Sequence, residues 1–434
     1  MERENEKSLI LVYATDDSPR LQYILKYLFE EICGAALEFT HDLEKCRCST
    51  QKKICYAKSK IIRDALHIKP FGLLTEHNIR SHHFVLDKWN DLPIFFQTDG
   101  DIPFDLFSAS FFLVTRYEEY CLQQKDVYGR FDHQYSLAYQ HNFIQLPLIE
   151  LWVAQLFNIL VIKRQPSFQF QLSYDVDQAW CWKHKGLVRN LGGLIRDLLQ
   201  IKFHAVINRL NVLFGRRADP FDVFQRLNEL HHQHGLLPIY FFLLASKNGK
   251  YDKHILPEKP ALRSLVEHVS SQFSTGIHPS WAAHTSDVCL KDELKTFMLI
   301  TKNEAVRSRY HYLAFSLPNG YRRLLDNGIK EDYSMGYGTI NGFRASTSIP
   351  FRWYDLSLDE ETELWIHPFC WMDANSFYQA QLKPKEALYE LRAYKRILEG
   401  VSGRMLVIWH NNFLGADPQF AGWREAHEQF LQEC

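Results

Sequence analysis

Residues 168–179, FQFQLSYDVDQA, decide the fold. Aromatic, polar and apolar side chains alternate up to Tyr174, the period-two pattern of a β-strand whose successive residues face opposite sides. Asp175 and Asp177, two residues apart, then share one face at the strand's C-terminal end. Parallel α/β enzymes place acids, bases and metal ligands at such ends. Alone, the same pair also reads as a cap on a turn, a common use of Asp.

The chain beyond this stretch argues for chemistry. Apolar strand-like runs (LPIYFFLLA, TGIHPS, SRYHYLAF, LWIHPF, MLVIWH) alternate with helical patterns over the C-terminal 260 or so residues, which predicts a parallel βα architecture, either doubly wound or a barrel. A His or Asp recurs at these strand ends: Asp175 and Asp177, then His278, then His410, with His311 inside SRYHYLAF. Converging on one mouth, they would assemble an Asp-His-His metal shell with an acid and a base beside it. His284 reads as a loop histidine, and His231, His232 and His234 as serving a helix C-terminus. Neither a Gly-x-Gly-x-x-Gly nor a Walker sequence occurs, which weakens nucleotide-binding versions of the class.

Composition narrows the partners. With 50 basic and 51 acidic residues the formal charge is −1, which gives no electrostatic case for nucleic acid or a membrane surface. Aromatics reach 14%, suiting sugar stacking as well as large cores. No apolar run approaches the length of a membrane span. The opening MERENEKSLILVYAT lacks the features of a secretory signal, so the sequence reads as cytoplasmic, and its nine cysteines as reduced thiols.

At 434 residues two or three domains are expected. A change of rhythm at KRQP predicts a smaller α/β N-terminal domain over 1–163 and a second domain over 164–434. The N-terminal part should open with the strand SLILVYA and contain one long aromatic-rich helix over 101–120, starting near Asp105. Arg116, Glu118 and Glu119 on it read as a solvated or ion-paired face.

The segments SYDVD, TGIHPSW, SRYHYLAF, GYRRLLDNGIKEDYSMGY, GFRASTSIPFRWYDL, WIHPFCWMD and LVIWHNN, in that order over residues 168–413, resemble a divergent polysaccharide deacetylase of the NodB-homology group, carbohydrate esterase family four. FDLFSASFFLVTRYEEY is similar to the uncharacterised N-terminal domain of one bacterial branch. The resemblance implies a distorted (β/α) barrel of fewer than eight strands and metal-dependent removal of N-acetyl groups from a carbohydrate such as a surface-glycan precursor. It implies Asp175 as general base, Asp177 and His278 as metal ligands, and His410 as general acid. The ion would be zinc, or else cobalt, nickel or manganese. The family's Asp pair is adjacent whereas Val176 intervenes here, so the two roles are exchangeable. Its second histidine stands four residues on, whereas here the next is His284, six on; His311 is the preferred third ligand and His284 the fallback. Arg344 is the candidate oxyanion or substrate contact, and Asp373 either orients a histidine or forms a salt bridge. The displaced histidine also leaves open a catalytically silent, glycan-binding or scaffolding version of the fold. A non-sugar amide or an O-acetyl ester is a further substrate option.

Overall fold

The computed structural model describes residues 8–122, 124–162 and 166–434. The boundary predicted at 163–164 therefore lies outside the described residues. The first part holds strands β1 (Leu9–Ala14), β2 (Ala36–Thr40), β3 (Lys52–Tyr56) and β4 (Leu66–Ile68), parallel in the order β2-β1-β3-β4, and a hairpin of β5 (Asp87–Trp89) and β6 (Leu92–Ile94). The long helix predicted over 101–120 is two helices, Leu106–Val114 and Tyr117–Cys121. Asp105 caps the first through the Ser108 N–H at 3.0 Å. Arg116 breaks the run in the left-handed region at φ 57°, which turns its guanidinium onto Glu118 and Glu119.

The second part is built on one large sheet. Its strands are β7 (Gln169–Val176), β8 (Ile239–Phe242), β9 (Ser274–Ile277), β10 (Arg307–Ser308), β11 (Glu331–Asp332), β12 (Phe351–Asp355), β13 (Glu360–Ile366), β14 (Trp371–Met372) and β15 (Arg404–His410). They lie in the order β14-β15-β7-β8-β9-β10-β11-β13-β12, and every neighbour is parallel except β12 with β13. Consecutive strands thus wind in one direction and the last two return beside the first, as in a barrel. Closure is incomplete, and nine strands replace the fewer than eight implied by resemblance. Among the described residues no strand pairing joins β13 to β14. The chain spends residues 351–366 on the β12–β13 hairpin, and a bond from Phe369 N–H to Met335 C=O at 3.1 Å bridges the gap. SRYHYLAF (308–315), expected as a strand, lies in β10 only at Ser308 and then turns through His311–Leu313. Its neighbours β9 and β11 have ended there, so no ladder remains to extend it.

The two faces of the sheet differ. Ile239, Phe241, Leu406 and Ile408 fill the inner face with Tyr333 and Phe369. Tyr174 and Val176 point outward into the larger core that the helices cover, and that core continues into the first part. Three buried polar ties stitch the two parts together: Tyr27 Oη to Thr347 Oγ1 at 2.6 Å, Glu150 to the Ser348 N–H at 2.6 Å, and Glu119 to Arg344 at 2.6 Å.

On the outer face the Tyr174 hydroxyl sits between His231 Nε2 and His427 Nε2, each at 2.9 Å. His231 is therefore a buried hydrogen-bonding group rather than a servant of its helix terminus. Burial, with His232 near it, lowers the His231 pKa to about 4; burial, with His231 near it, lowers that of His427 to about 3. Both rings are neutral when folded, while the unfolded chain protonates them near pH 6.5, so stability is full above that pH and falls as the pH drops. At pH 5 each imidazole should cost about 2 kcal/mol of unfolding free energy relative to pH 8. Urea unfolding from pH 8 to 5 should show that decline, and His231→Gln with His427→Gln should flatten it; an unchanged slope would exclude the pair as its source.

Candidate metal centre and catalytic site

The alternation that sends Tyr174 and Val176 outward sends Ser173, Asp175 and Asp177 inward. β7 is also in register with β15, His410 lying opposite Asp175. Because the strands are parallel, their C-terminal ends share one edge, where His410 ends β15 and His278, Arg309, His311 and Asp373 follow strand ends. Together they line a pocket of about 490 Å³ with Asp175, Asp177, Tyr128 and Tyr378, Arg309 and Asp373 standing behind it.

Three imidazoles point one nitrogen at Asp177. His278 Nε2 is 3.2 Å from Asp177 Oδ1, His311 Nε2 3.6 Å from Oδ2, and His410 Nε2 3.9 Å from Oδ2. Each ring is oriented through its other nitrogen. His278 Nδ1 bonds the Arg309 carbonyl, His311 Nδ1 the Asp252 carboxylate at 2.8 Å, and His410 Nδ1 the Asp373 carboxylate at 2.6 Å. A carbonyl or carboxylate oxygen only accepts, so Nδ1 carries a proton and Nε2 is the nitrogen that faces the pocket, a ligand atom when the ring is neutral and a donor when it is charged. The supports are themselves fixed. Asp252 also takes the Trp281 N–H at 2.9 Å, Asp373 takes the His410 N–H at 2.7 Å, and Glu293 holds the loop after His278 through the Ser280 N–H at 2.9 Å.

Asp177, His278 and His311 fit a divalent cation. Their ligand atoms lie within 4.8 Å of one another. Arms of about 2.1 Å in tetrahedral geometry give ligand-to-ligand edges of about 3.4 Å, between the 3.2 and 3.6 Å separations of Asp177 from His278 and His311. Asp177 Oδ1 is enclosed yet without a hydrogen bond, the state of a carboxylate oxygen awaiting a cation. Burial raises the Asp177 pKa, but His311, His278 and His410 outweigh it and hold the group well below the usual carboxylate range. His311 rather than His284 completes the cluster with Asp177 and His278; His284 Nδ1 bonds the Trp281 carbonyl in the loop after His278 at 2.5 Å.

Asp175 is buried beside this cluster. Arg309 Nη1 donates to its Oδ1 at 2.6 Å, Arg309 Nη2 to Ser173 Oγ at 2.9 Å, and the guanidinium lies 4.3 Å over the Phe241 ring. Its Oδ2 is 3.8 Å from His278 Nε2. His410 is lowered by burial, but Asp373 foremost, with Asp177 and Asp175, lifts it to about 10.

Arg344 is not at this mouth. It is buried with Nε and Nη2 on Glu119 at 2.8 and 2.6 Å, and Arg116 donates to the same carboxylate. Both guanidiniums are consumed in joining the two parts of the chain, and the arginine beside the paired acids is Arg309. Arg309 was visible in sequence, two residues before His311 in SRYHYLAF. Asp252 carried no signal, lying in an irregular loop, nor did Tyr128 and Arg130, which reach the pocket from the first part. Arg130 Nη1 bonds the Tyr312 carbonyl at 2.7 Å and clamps the turn where Tyr312 and Leu313 hold φ of 58° and 53°.

Residues 10–165 match the model of a family of unknown function, DUF7033. No curated protein matches. Among solved structures, a putative polysaccharide deacetylase from Mycobacterium smegmatis is similar at 12% identity and a TM-score of 0.40, over 62% of this chain and 84% of that one. Puue allantoinase is similar at 10% and 0.39, over 62% and 84%, and a probable polysaccharide deacetylase from Pseudomonas aeruginosa PAO1 at 10% and 0.39, over 62% and 85%. Identities this low leave the chemistry to the side chains themselves.

Asp252→Asn should weaken zinc affinity about 10- to 100-fold by loosening His311, and His284→Ala should leave it unchanged, both by competition with a chromophoric chelator. Equal effects would contradict the ligand set. Arg344→Met should lower stability by about 3 kcal/mol in urea unfolding, as expected for breaking a buried ion pair, with metal affinity intact.

Proposed function

We propose that the chain is a metal-dependent hydrolase that removes N-acetyl groups from a carbohydrate, with residues 164–434 as the catalytic unit and residues 1–163 as an accessory domain. One observation carries this reading: imidazole nitrogens from separate strand ends converge on Asp177 while a second acid–base set, Asp175 with Arg309 and His410 with Asp373, stands on either side. Asp177, His278 and His311 would hold the ion, zinc being the best match to an Asp-His-His donor set, with cobalt, nickel or manganese as alternatives. When bound, such an ion supplies a Lewis acid and lowers the pKa of water.

The remaining roles follow from the side chains. Asp175, held by Arg309 through Oδ1 and open to the pocket at Oδ2, takes the proton from the attacking water. His410 carries a proton at Nε2 and delivers it to the departing nitrogen. Amide hydrolysis depends on that delivery, because an amide anion is a very poor leaving group. Asp373 holds the His410 ring and stabilises its charged form. Arg309 keeps Asp175 in place. The place of His311 beside Asp177 and His278 supports the active reading over the silent one that the displaced second histidine favoured. Tyr128, Tyr312 and Tyr378 give the pocket an aromatic wall suited to a sugar ring.

Acetate release from N-acetylated oligosaccharides and sugar nucleotides, by the zinc-loaded chain, tests the proposal. Asp175→Asn and His410→Ala should each lower kcat about 10²- to 10⁴-fold while the bound metal stays stoichiometric. Release undiminished in both variants would sink the assignment of acid and base.

A further inference from the structure

Between β7 and β8 the chain inserts a helical hairpin, Leu187–Leu199 and Phe203–Leu213, whose polarity is inverted. Its buried groups are mostly polar: Arg209 bonds Asp197 at 2.6 Å and Asn190 at 3.3 Å, and lies 5.5 Å over the Trp182 ring. Gly193 makes room for it, since a Cβ there would sit 2.7 Å from the guanidinium. The apolar side chains face out. Leu187, Leu191, Ile195 and Leu199 recur every four residues on one exposed stripe, and Phe203 and Ile207 continue it on the second helix. Leu187 is 90% exposed, Leu199 79% and Phe214 71%. An apolar surface of this kind marks an interaction site.

Charge identifies the partner. Residues 183–217 carry eight Lys and Arg against one acidic residue, Asp197, whereas the whole chain carries −1. Arg189, Arg196, Lys202, Arg216 and Arg217 are exposed around the apolar stripe. A basic surface interleaved with leucine and phenylalanine matches the interfacial zone of an anionic bilayer. The same charge opposes a second copy of this face packing against it. Neither helix spans a bilayer: each has at most 13 residues, about 20 Å long against a hydrocarbon core of about 30 Å. The hairpin would lie in the surface plane.

We infer that this hairpin seats the protein on anionic lipid membranes, with the mouth of the site facing the same surface. The insertion springs from the end of β7 that carries Asp177. Arg189 Nη1 donates to the His254 carbonyl at 2.7 Å, in the loop that supplies Asp252. Asn411, next to His410, bonds the Gln178 and Phe221 carbonyls at 3.0 Å on either side of the insertion.

Co-sedimentation of the full chain with vesicles of phosphatidylcholine alone, or with about 30% phosphatidylglycerol, tests this. Binding to the anionic vesicles should be strong, weak to neutral ones, and lost in about 0.5 M NaCl. Leu191→Glu with Ile195→Glu, and separately Arg196→Glu with Lys202→Glu, should each cut the partition coefficient about tenfold or more, with circular dichroism and zinc content unchanged. These positions are exposed, so folding is spared. Absence of binding, binding indifferent to lipid charge, or binding untouched by both variant pairs would overturn the inference. So would a concentration-dependent dimer, without vesicle binding, that the Leu191→Glu, Ile195→Glu variant dissociates.

Discussion

The site depends on the pleat of one strand. Because side chains alternate along β7, Ser173, Asp175 and Asp177 face the inside of the sheet while Tyr174 and Val176 lock into the helical layer. A register slip of one residue would exchange the two sets, placing two carboxylates in an apolar layer and a tyrosine at the mouth. The outer anchors, Tyr174 between two histidines and Val176 in the core, oppose that slip. Val176 thus explains the spaced acids: separated by one outward residue, both carboxylates reach the same pocket, with different partners. Asp175 is committed to Arg309 and Asp177 to the imidazoles.

The parallel sheet does the rest of the gathering. Asp252, His278, Arg309, His311, Asp373 and His410 are spread over some 160 residues, yet each ends, or follows, a strand that stops at the same edge. Rings oriented through Nδ1 by carbonyl or carboxylate acceptors present Nε2 without needing an ion to arrange them. The first part of the chain is integral to this arrangement. Its buried ties at Thr347, Ser348 and Arg344 hold the neighbouring loops, and Arg130 steadies the strained turn after His311.

Much of this was legible in the sequence. Asp175, Asp177, His278 and His410 each ended a patterned strand, and strand ends in parallel sheets meet. His311 lies with Asp177 and His278 although its segment is mostly a turn, because a turn at the strand's end still delivers it to the same edge. Arg344 misled because a buried arginine in a polar segment looks the same whether it meets a substrate or an ion-pair partner 225 residues away. Asp252 was invisible because its position depends on a loop, not on any period. The sheet's open side was equally hidden, since of the β12–β13 hairpin only LWIHPF, which overlaps β13, reads as a strand.

The most direct test is X-ray absorption at the metal edge of the full chain loaded with one equivalent of zinc. The account predicts a mixed nitrogen and oxygen shell at about 2.0–2.2 Å with outer-shell scattering from two imidazoles, reduced to one in His311→Ala. A shell that contains sulfur, or one unchanged in His311→Ala, would contradict a centre formed by Asp177, His278 and His311.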